Sequence, residues 1–284
     1  MAKLMSDREY ATPFPMLHAA SLLSHRTRIG KFSEAIRRVV DADSSIVDIG
    51  TGTGVLAMLA ARAGARRVIA LDINPESIEY ARRSARLNGL DRRIEFVVGH
   101  YRDLVLDELA DIVICEMLSS MMLVEQQVPA CGFAVRNLLK RNGTVLPQNA
   151  TVFVVLAECR TLWNRFSVEG LRFPRLPQTV SPNEARDMSD AVELAHFDFT
   201  SPESPERIDR RIEFVVNEDG TVHGLVGFFQ STLYGDIRLE MADGWRDVFL
   251  PLPHATNVSP GDTLAVRIEF VPGRVDTLRL ELES

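Results

Sequence analysis

Cysteine is scarce in this chain. Cys115, Cys131 and Cys159 are odd in number, form no C-x-x-C pair and have no partnering histidine cluster. That excludes a disulfide framework and a zinc site, and it implies reduced thiols in a cytoplasmic setting. Lysine is scarcer than its charge partner: Lys3, Lys31 and Lys140 stand alone among 32 basic residues, the rest being arginine. No apolar run approaches the roughly 20 residues needed to cross a bilayer. Met1 to Tyr10 lacks the apolar stretch and small-residue cleavage site of a secretory signal. Positive charge is also lacking overall. A net charge of −7 and a pI near 5.5 argue against nucleic acid and anionic membranes, both of which demand a positive surface, and favour a basic partner.

The 284 residues are 46% hydrophobic, enough for an ordinary core in one or two domains. Leu17 to about Val40 has helical periodicity and leads into the short strand Ser45–Ile49, which ends at glycines. Strands and helices then alternate, with strands at 67–71, 93–98, 111–115 and 144–146, and helices at 54–63, 75–87 and 126–140. Asn74 and Pro75 mark a helix start. Alternation of this kind predicts a doubly wound parallel sheet of α/β class over residues 1–147. After Pro147 the pattern shortens to alternating segments broken by turns such as Asn217-Glu218-Asp219-Gly220, which predicts an all-β barrel or sandwich over 148–284. Residues 163–190, rich in Pro, Arg and Asp, read as a protruding arm or a loose loop.

Asp48-Ile49-Gly50-Thr51-Gly52-Thr53-Gly54 follows the first strand. Glycines at alternate positions permit φ > 0 and bring backbone amides close to a ligand, with a helix N-terminus behind them. The dinucleotide fingerprint would need glycine at Val55; the tighter spacing here matches S-adenosylmethionine enzymes. Asp72 closes the second strand about 20 residues on, where a carboxylate can accept both ribose hydroxyls. Tyr101 or Asp103, after the third strand, is placed to contact a base, or else belongs to a solvated loop. Glu116 and Glu125 bracket the apolar stretch 117–124 just after strand 111–115. Paired carboxylates beside a nucleoside site suit a cationic acceptor, and the apolar flanks Leu118, Met121, Met122 and Leu123 do not suit a freely solvated loop.

These residues resemble the protein arginine N-methyltransferase family from Tyr10 to about Phe270. Residues 45–64 are similar to its first motif, Val68–Asp72 to its second, Glu116-x8-Glu125 to its double-glutamate loop, and Asn142–Pro147 to the end of its methyltransferase domain. His223–Phe229 and Gly244–Leu250 resemble two stretches of its barrel. The resemblance implies a Rossmann-like S-adenosylmethionine domain followed by a β-barrel. It assigns Glu116 and Glu125 to grip and orient a guanidinium, and Asp48, Gly50, Thr51, Gly52, Gly54, Asp72, Tyr101 and Glu116 to the cofactor site. Arg26, in Arg26-Thr27, is implied to meet the cofactor carboxylate, although a solvated helix-face arginine is the competing reading. Tyr10 looks like the aromatic residue folded over the cofactor.

Two stretches depart from the family pattern. Asp243 and Gly244 replace the Thr and His that normally precede the tryptophan corresponding to Trp245, which reads either as an acceptor-pocket residue or as a barrel-core aromatic. Ser119 and Ser120 replace Gly and an aromatic or His, which enlarges the site. The implied activity is guanidino N-methylation of arginine in a protein or of a small guanidine such as free arginine. A catalytically altered cofactor-binding scaffold and methylation of a non-guanidine molecule are the alternatives. Leu162–Phe166 resembles the entry to the family's dimerisation arm, which is compatible with a homodimer, and no metal is expected.

Overall fold

A computed structural model describes residues 14–283; Tyr10 lies outside the described residues. The first half is a five-stranded, fully parallel sheet of β1 (Ser45–Ile49), β2 (Arg67–Asp72), β3 (Ile94–Val98), β4 (Ala110–Cys115) and β5 (Leu139–Leu146), in the order β3-β2-β1-β4-β5. β1 is buried along its whole length, as expected for a central strand covered on both faces. The chain winds outward from β1 to β3, then crosses back to β4 on the other side of β1. Such a reversal opens a crevice beyond the carboxyl ends of β1 and β4, where doubly wound sheets hold their ligands. Both the glycine loop and Glu116 begin there.

Ahead of the sheet, the single helix expected over 17–40 is broken. α1 (Met16–Ser21) passes into a 3-10 turn (Leu22–Ser24), and α2 (Arg26–Val39) starts after His25, whose φ of −78° and ψ of 71° interrupt the helical path. α2 buries Arg28, Phe32, Ala35 and Ile36, an i, i+4, i+7, i+8 stripe that includes one arginine. α3 (Val55–Ala63) follows the glycine loop, and α4 (Pro75–Leu87) is capped by Asn74, whose side chain accepts from the Glu76 N–H at 2.9 Å. α5 (Gln127–Asn137) ends three residues before the expected Lys140, because β5 already begins at Leu139.

The second half is antiparallel. β6 (Asn149–Glu158), β9 (Gly220–Tyr234) and β11 (Val248–Val258) form the centre of one sheet, flanked by β7 (Val192–Asp198) on β6 and β10 (Ile237–Glu240) on β9. β8 (Ile208–Val215), β12 (Thr263–Val271) and β13 (Arg274–Glu283) make a second sheet. The core is continuous from Ile46 and Ile114 of the parallel sheet, through Leu118, Met121 and Met122, into Phe229 and Leu250 of the antiparallel half. Residues 163–190 are anchored: the Trp163 indole N–H donates to the Leu252 carbonyl at 3.1 Å, and the Arg175 guanidinium lies 3.5 Å above the Trp163 ring. From this base projects a small hairpin, Ser167–Val168 with Leu171–Arg172. Among the described residues no helix is long and apolar enough to cross a membrane.

Candidate active site

The nucleoside side of the crevice is shaped by backbone conformation. Gly50, Gly52 and Gly54 have φ of 72°, 53° and 78°, a left-handed run that side chains resist. Space enforces the same choice at two of them: a Cβ at Gly54 would lie 2.8 Å from the Ala81 Cβ, and one at Gly50 would lie 2.9 Å from Met117 Cγ. Asp48 braces the loop from below. It accepts the Thr51 hydroxyl at 2.6 Å and the Ala57 N–H, at the start of α3, at 3.2 Å, and burial pushes its carboxyl up to about 7. Asp72 accepts the Gly52 N–H and the Asn74 N–H, both at 2.8 Å, and burial raises its carboxyl too. Asp48, Gly50, Thr51, Gly52, Asp72 and Tyr101 all line one cavity of about 1100 Å³. Tyr101 is buried, its ring tilted against His100 at 4.2 Å and Phe133 at 5.5 Å.

The same cavity takes Glu116, Glu125 and Trp245, so the residues expected to meet an acceptor share it with those expected to meet a nucleoside. The loop between the glutamates is held by the antiparallel half. Met121 and Met122 carry φ of 58° and 55°, a strained pair for residues with side chains, at an order of 1–3 kcal/mol each. Several ties offset that strain. The Gly273 N–H donates to the Met122 carbonyl at 2.7 Å, the Trp245 indole N–H to the Leu118 carbonyl at 2.8 Å, and the Ser120 hydroxyl to the Arg246 carbonyl. Ser119 Oγ accepts the Val124 N–H at 3.2 Å, and the fully buried Gln127 accepts the Met117 N–H at 2.7 Å. The two serines, expected from the sequence to enlarge the site, therefore fasten the loop.

Gly227 on β9 supplies the space for Met121, since a Cβ there would stand 2.6 Å from Met121 Cγ and closer still to its sulfur. Gly227→Ala is expected to lower stability by about 1–3 kcal/mol through overpacking, and to reduce turnover by misplacing Glu116 and Glu125. Parallel denaturant melts and rate measurements check both effects. An unchanged rate would show that the glutamates do not depend on this seat.

The main surprise is a cation. Arg28 forms an ion pair with Glu116, and its guanidinium lies 4.1 Å over the Trp245 ring, which itself meets Phe229 edge-on at 5.1 Å. Arg28 is 7% exposed. Burial lowers its pKa to about 10, with Glu125 and Asp243 pulling the other way. Glu125 is pushed up to about 7, first by burial, with Asp72 adding to the shift and Arg28 opposing it. Among the described residues its carboxylate makes no ion pair. Arg26, by contrast, is exposed and does not line the cavity. It stands two residues, about 200° of helix, from Arg28 and faces away. The sequence reading missed Arg28, although its place on the apolar stripe with Phe32 and Ile36 was the available signal.

The loop before Trp245 is rebuilt as well. Asp243 is buried, accepts the Glu240 N–H at 2.9 Å and pairs with Lys31 of α2 at 2.7 Å. Gly244 has φ of 136°, and a Cβ on it would lie 2.6 Å from the His25 ring. The ring thus occupies the space next to the missing side chain. His25 also lines the cavity, and burial and the Arg28 charge lower its pKa, which favours the neutral imidazole.

With this geometry in view, residues 25–137 match the family model for the ribosomal protein L11 methyltransferase (PrmA), and residues 159–272 match that for the PRMT5 oligomerisation domain. Over 277 residues the chain is 28% identical to the arginine N(omega)-methyltransferase of Streptomyces achromogenes subsp. streptozoticus, covering 89% of this chain and 76% of that protein. The chain thus resembles arginine N-methyltransferases along most of its length. The chain is also 36% identical over 141 residues to the uncharacterized protein MJ1452 of Methanocaldococcus jannaschii. That alignment takes in 49% of this chain, which spans about half of MJ1452 (54%). Its fold is that of Trypanosoma brucei PRMT1, solved as an enzyme–prozyme heterotetrameric complex with AdoHcy. The TM-score is 0.78 at 22% identity, over 93% of this chain and 92% of that one.

Proposed function

We propose that this protein is an S-adenosylmethionine-dependent N-methyltransferase acting on the guanidino group of arginine. The observation that carries the proposal is the convergence of Glu116 and Glu125 with the glycine loop and Asp72 in one cavity at the switch point of the sheet. The residues fit the cofactor. Three left-handed glycines carry the loop along the crevice, two of them, Gly50 and Gly54, where a side chain would collide with Met117 or Ala81, and Asp72 lines the cavity at the end of β2. Bound there, S-adenosylmethionine supplies a methyl group activated by its sulfonium.

The chain's own residues do the rest. Asp72 accepts from the ribose hydroxyls, and Asp48 keeps the glycine loop in place. Glu116 and Glu125 hold the guanidinium by charge-assisted hydrogen bonds and draw its positive charge toward the nitrogens they bind, which leaves the remaining nitrogen more nucleophilic. Leu118, Leu123 and the indole of Trp245 wall off water. The nitrogen that is methylated releases a proton, and the Glu125 carboxylate, with its pKa at about 7, is matched to accept it at neutral pH.

The Streptomyces relative, an arginine N(omega)-methyltransferase aligned over most of both chains, supports arginine as acceptor. Incubation with labelled cofactor, free arginine and an Arg-Gly-rich peptide tests the proposal and separates a small-molecule acceptor from a protein one by which gains mass. No label on either, with cofactor bound, would remove guanidino methylation and leave a binding scaffold. The exposed apolar side chains of the hairpin and the segment after it, Val168, Leu171, Phe173 and Leu176, support contact between two copies of the chain. The buried free thiols are consistent with a reducing, cytoplasmic setting.

A further inference from the structure

We infer that Arg28 is a resident competitor in the acceptor site: its guanidinium is the standing partner of Glu116, and a cationic acceptor takes the carboxylate pair by displacing it, so that Arg28 sets how strongly an acceptor must bind. This rests on the acceptor assignment made above. The resident cation is held by the contacts a guanidinium substrate would seek, an ion pair to Glu116, an aromatic face 4.1 Å away on Trp245, and the nearby charge of Glu125. It is no solvent-facing arginine that has strayed inward. Its backbone position lies on the buried stripe of α2 beside Phe32, so the side chain cannot leave the cavity region without a change in α2.

The physical consequence is an exchange rather than an addition. Removing Arg28 from the pair would leave Glu116 as a buried carboxylate without its cation, which is costly. An incoming group must therefore replace both the fork and the stack. A planar guanidinium can do this; a compact, strongly hydrated ammonium can replace only the charge. Competition by a built-in cation thus weakens every acceptor by the same factor, set by the fraction of time the pair is occupied, so only an acceptor whose own fork and stack are strong still binds well. A lysine-like acceptor, intrinsically weaker at this fork, is thereby lowered to negligible occupancy.

The test compares wild type with Arg28→Ala and Arg28→Lys, using methylguanidine and methylamine as probes in thermal-shift titrations and S-adenosylhomocysteine in calorimetry. In Arg28→Ala, methylguanidine is expected to bind about tenfold tighter or more than in wild type, because the competing occupant is gone. Methylamine should gain by a similar factor, and S-adenosylhomocysteine affinity should stay within about threefold. Because Arg28→Ala strips a buried carboxylate of its partner, Arg28→Lys provides the second arm; it keeps the charge without the fork and should fall between the two. Weaker cofactor binding with unchanged methylguanidine affinity would place Arg28 on the nucleoside side and overturn the inference, as would weaker methylguanidine binding. Tighter probe binding without methylation of any guanidine would instead overturn the proposed function and leave this inference standing.

Discussion

Replacing Glu125 by Gln is expected to lower kcat/KM for an arginine acceptor by about 30- to 1,000-fold while leaving S-adenosylhomocysteine affinity within about threefold. The range corresponds to about 2–4 kcal/mol for losing the charge that opposes a desolvated guanidinium. Glu125 is the cleaner of the two carboxylates to test. Glu116 already neutralises Arg28, so Glu116→Gln would strand a buried cation and mix a folding cost with a catalytic one. Among the described residues Glu125 has no such partner. Its amide analogue keeps the shape, and its loop is fastened through Ser119, Trp245 and Gly273 rather than through the carboxylate. The loss should fall mainly on kcat if Glu125 also receives the departing proton. A variant that keeps wild-type kcat/KM would show that the acceptor is not held by this carboxylate at all.

The parts of this site that are local in sequence were legible. The glycine loop, Asp72 and the two glutamates each depend on a few residues beside a strand end, and the parallel sheet sets them together by topology alone. Arg26 and Arg28 show where legibility stops. Counting helical phase from Leu17 assumes an unbroken helix, but His25 interrupts it, so the buried face of α2 has to be read from its own apolar stripe. The left-handed Met121 and Met122 carry no sequence signal, because their conformation is imposed by Gly227 and Gly273 more than 100 residues away. Trp245 could be read as pocket or core; in the structure it is both, packing on Phe229 while its ring carries Arg28 and its N–H fixes Leu118.

The replacement of Thr-His by Asp243-Gly244 has a partner elsewhere in the chain. α2 contributes Lys31 to Asp243, and His25, just ahead of α2, fills the room at Gly244. The junction between the N-terminal helices and the barrel loop thus keeps an ion pair and an imidazole, with the acid on the barrel and the base on the helix. A loop that had merely lost function would have no reason to be matched across the junction in both respects. This agreement between distant residues supports a working, rearranged acceptor wall over a decayed one.

Activity and stability of this protein should move in opposite directions with pH between about 4.5 and 7. Glu125 must be ionised to hold a guanidinium and to accept its proton, and its pKa in the free protein is about 7. Log kcat/KM should therefore climb by about one unit per pH unit up to that value and then level off. Stability runs the other way. A carboxyl whose folded pKa is raised contributes its full stabilisation below the ordinary carboxylate pKa, where both states are protonated, and loses it as pH rises toward the folded value, because only the unfolded chain ionises. Glu125 and Asp48, both at about 7, and Asp72, raised by burial, act together in this sense. The surface carboxylates with lowered pKa, Glu108 and Asp111 among them, titrate at and below the lower edge of this window, whereas His25 and His223, whose pKa values burial lowers, oppose the fall over part of it. Melting temperature should fall as pH rises from about 4.5 to 7. A cationic acceptor should reverse part of that fall, since a bound positive charge stabilises the ionised Glu125. Glu125→Gln should remove the acid limb of the rate profile and flatten the melting curve by its own share. A kcat/KM that stays level between pH 5.5 and 8 would show that the group titrating at about 7 takes no part in acceptor binding or proton transfer.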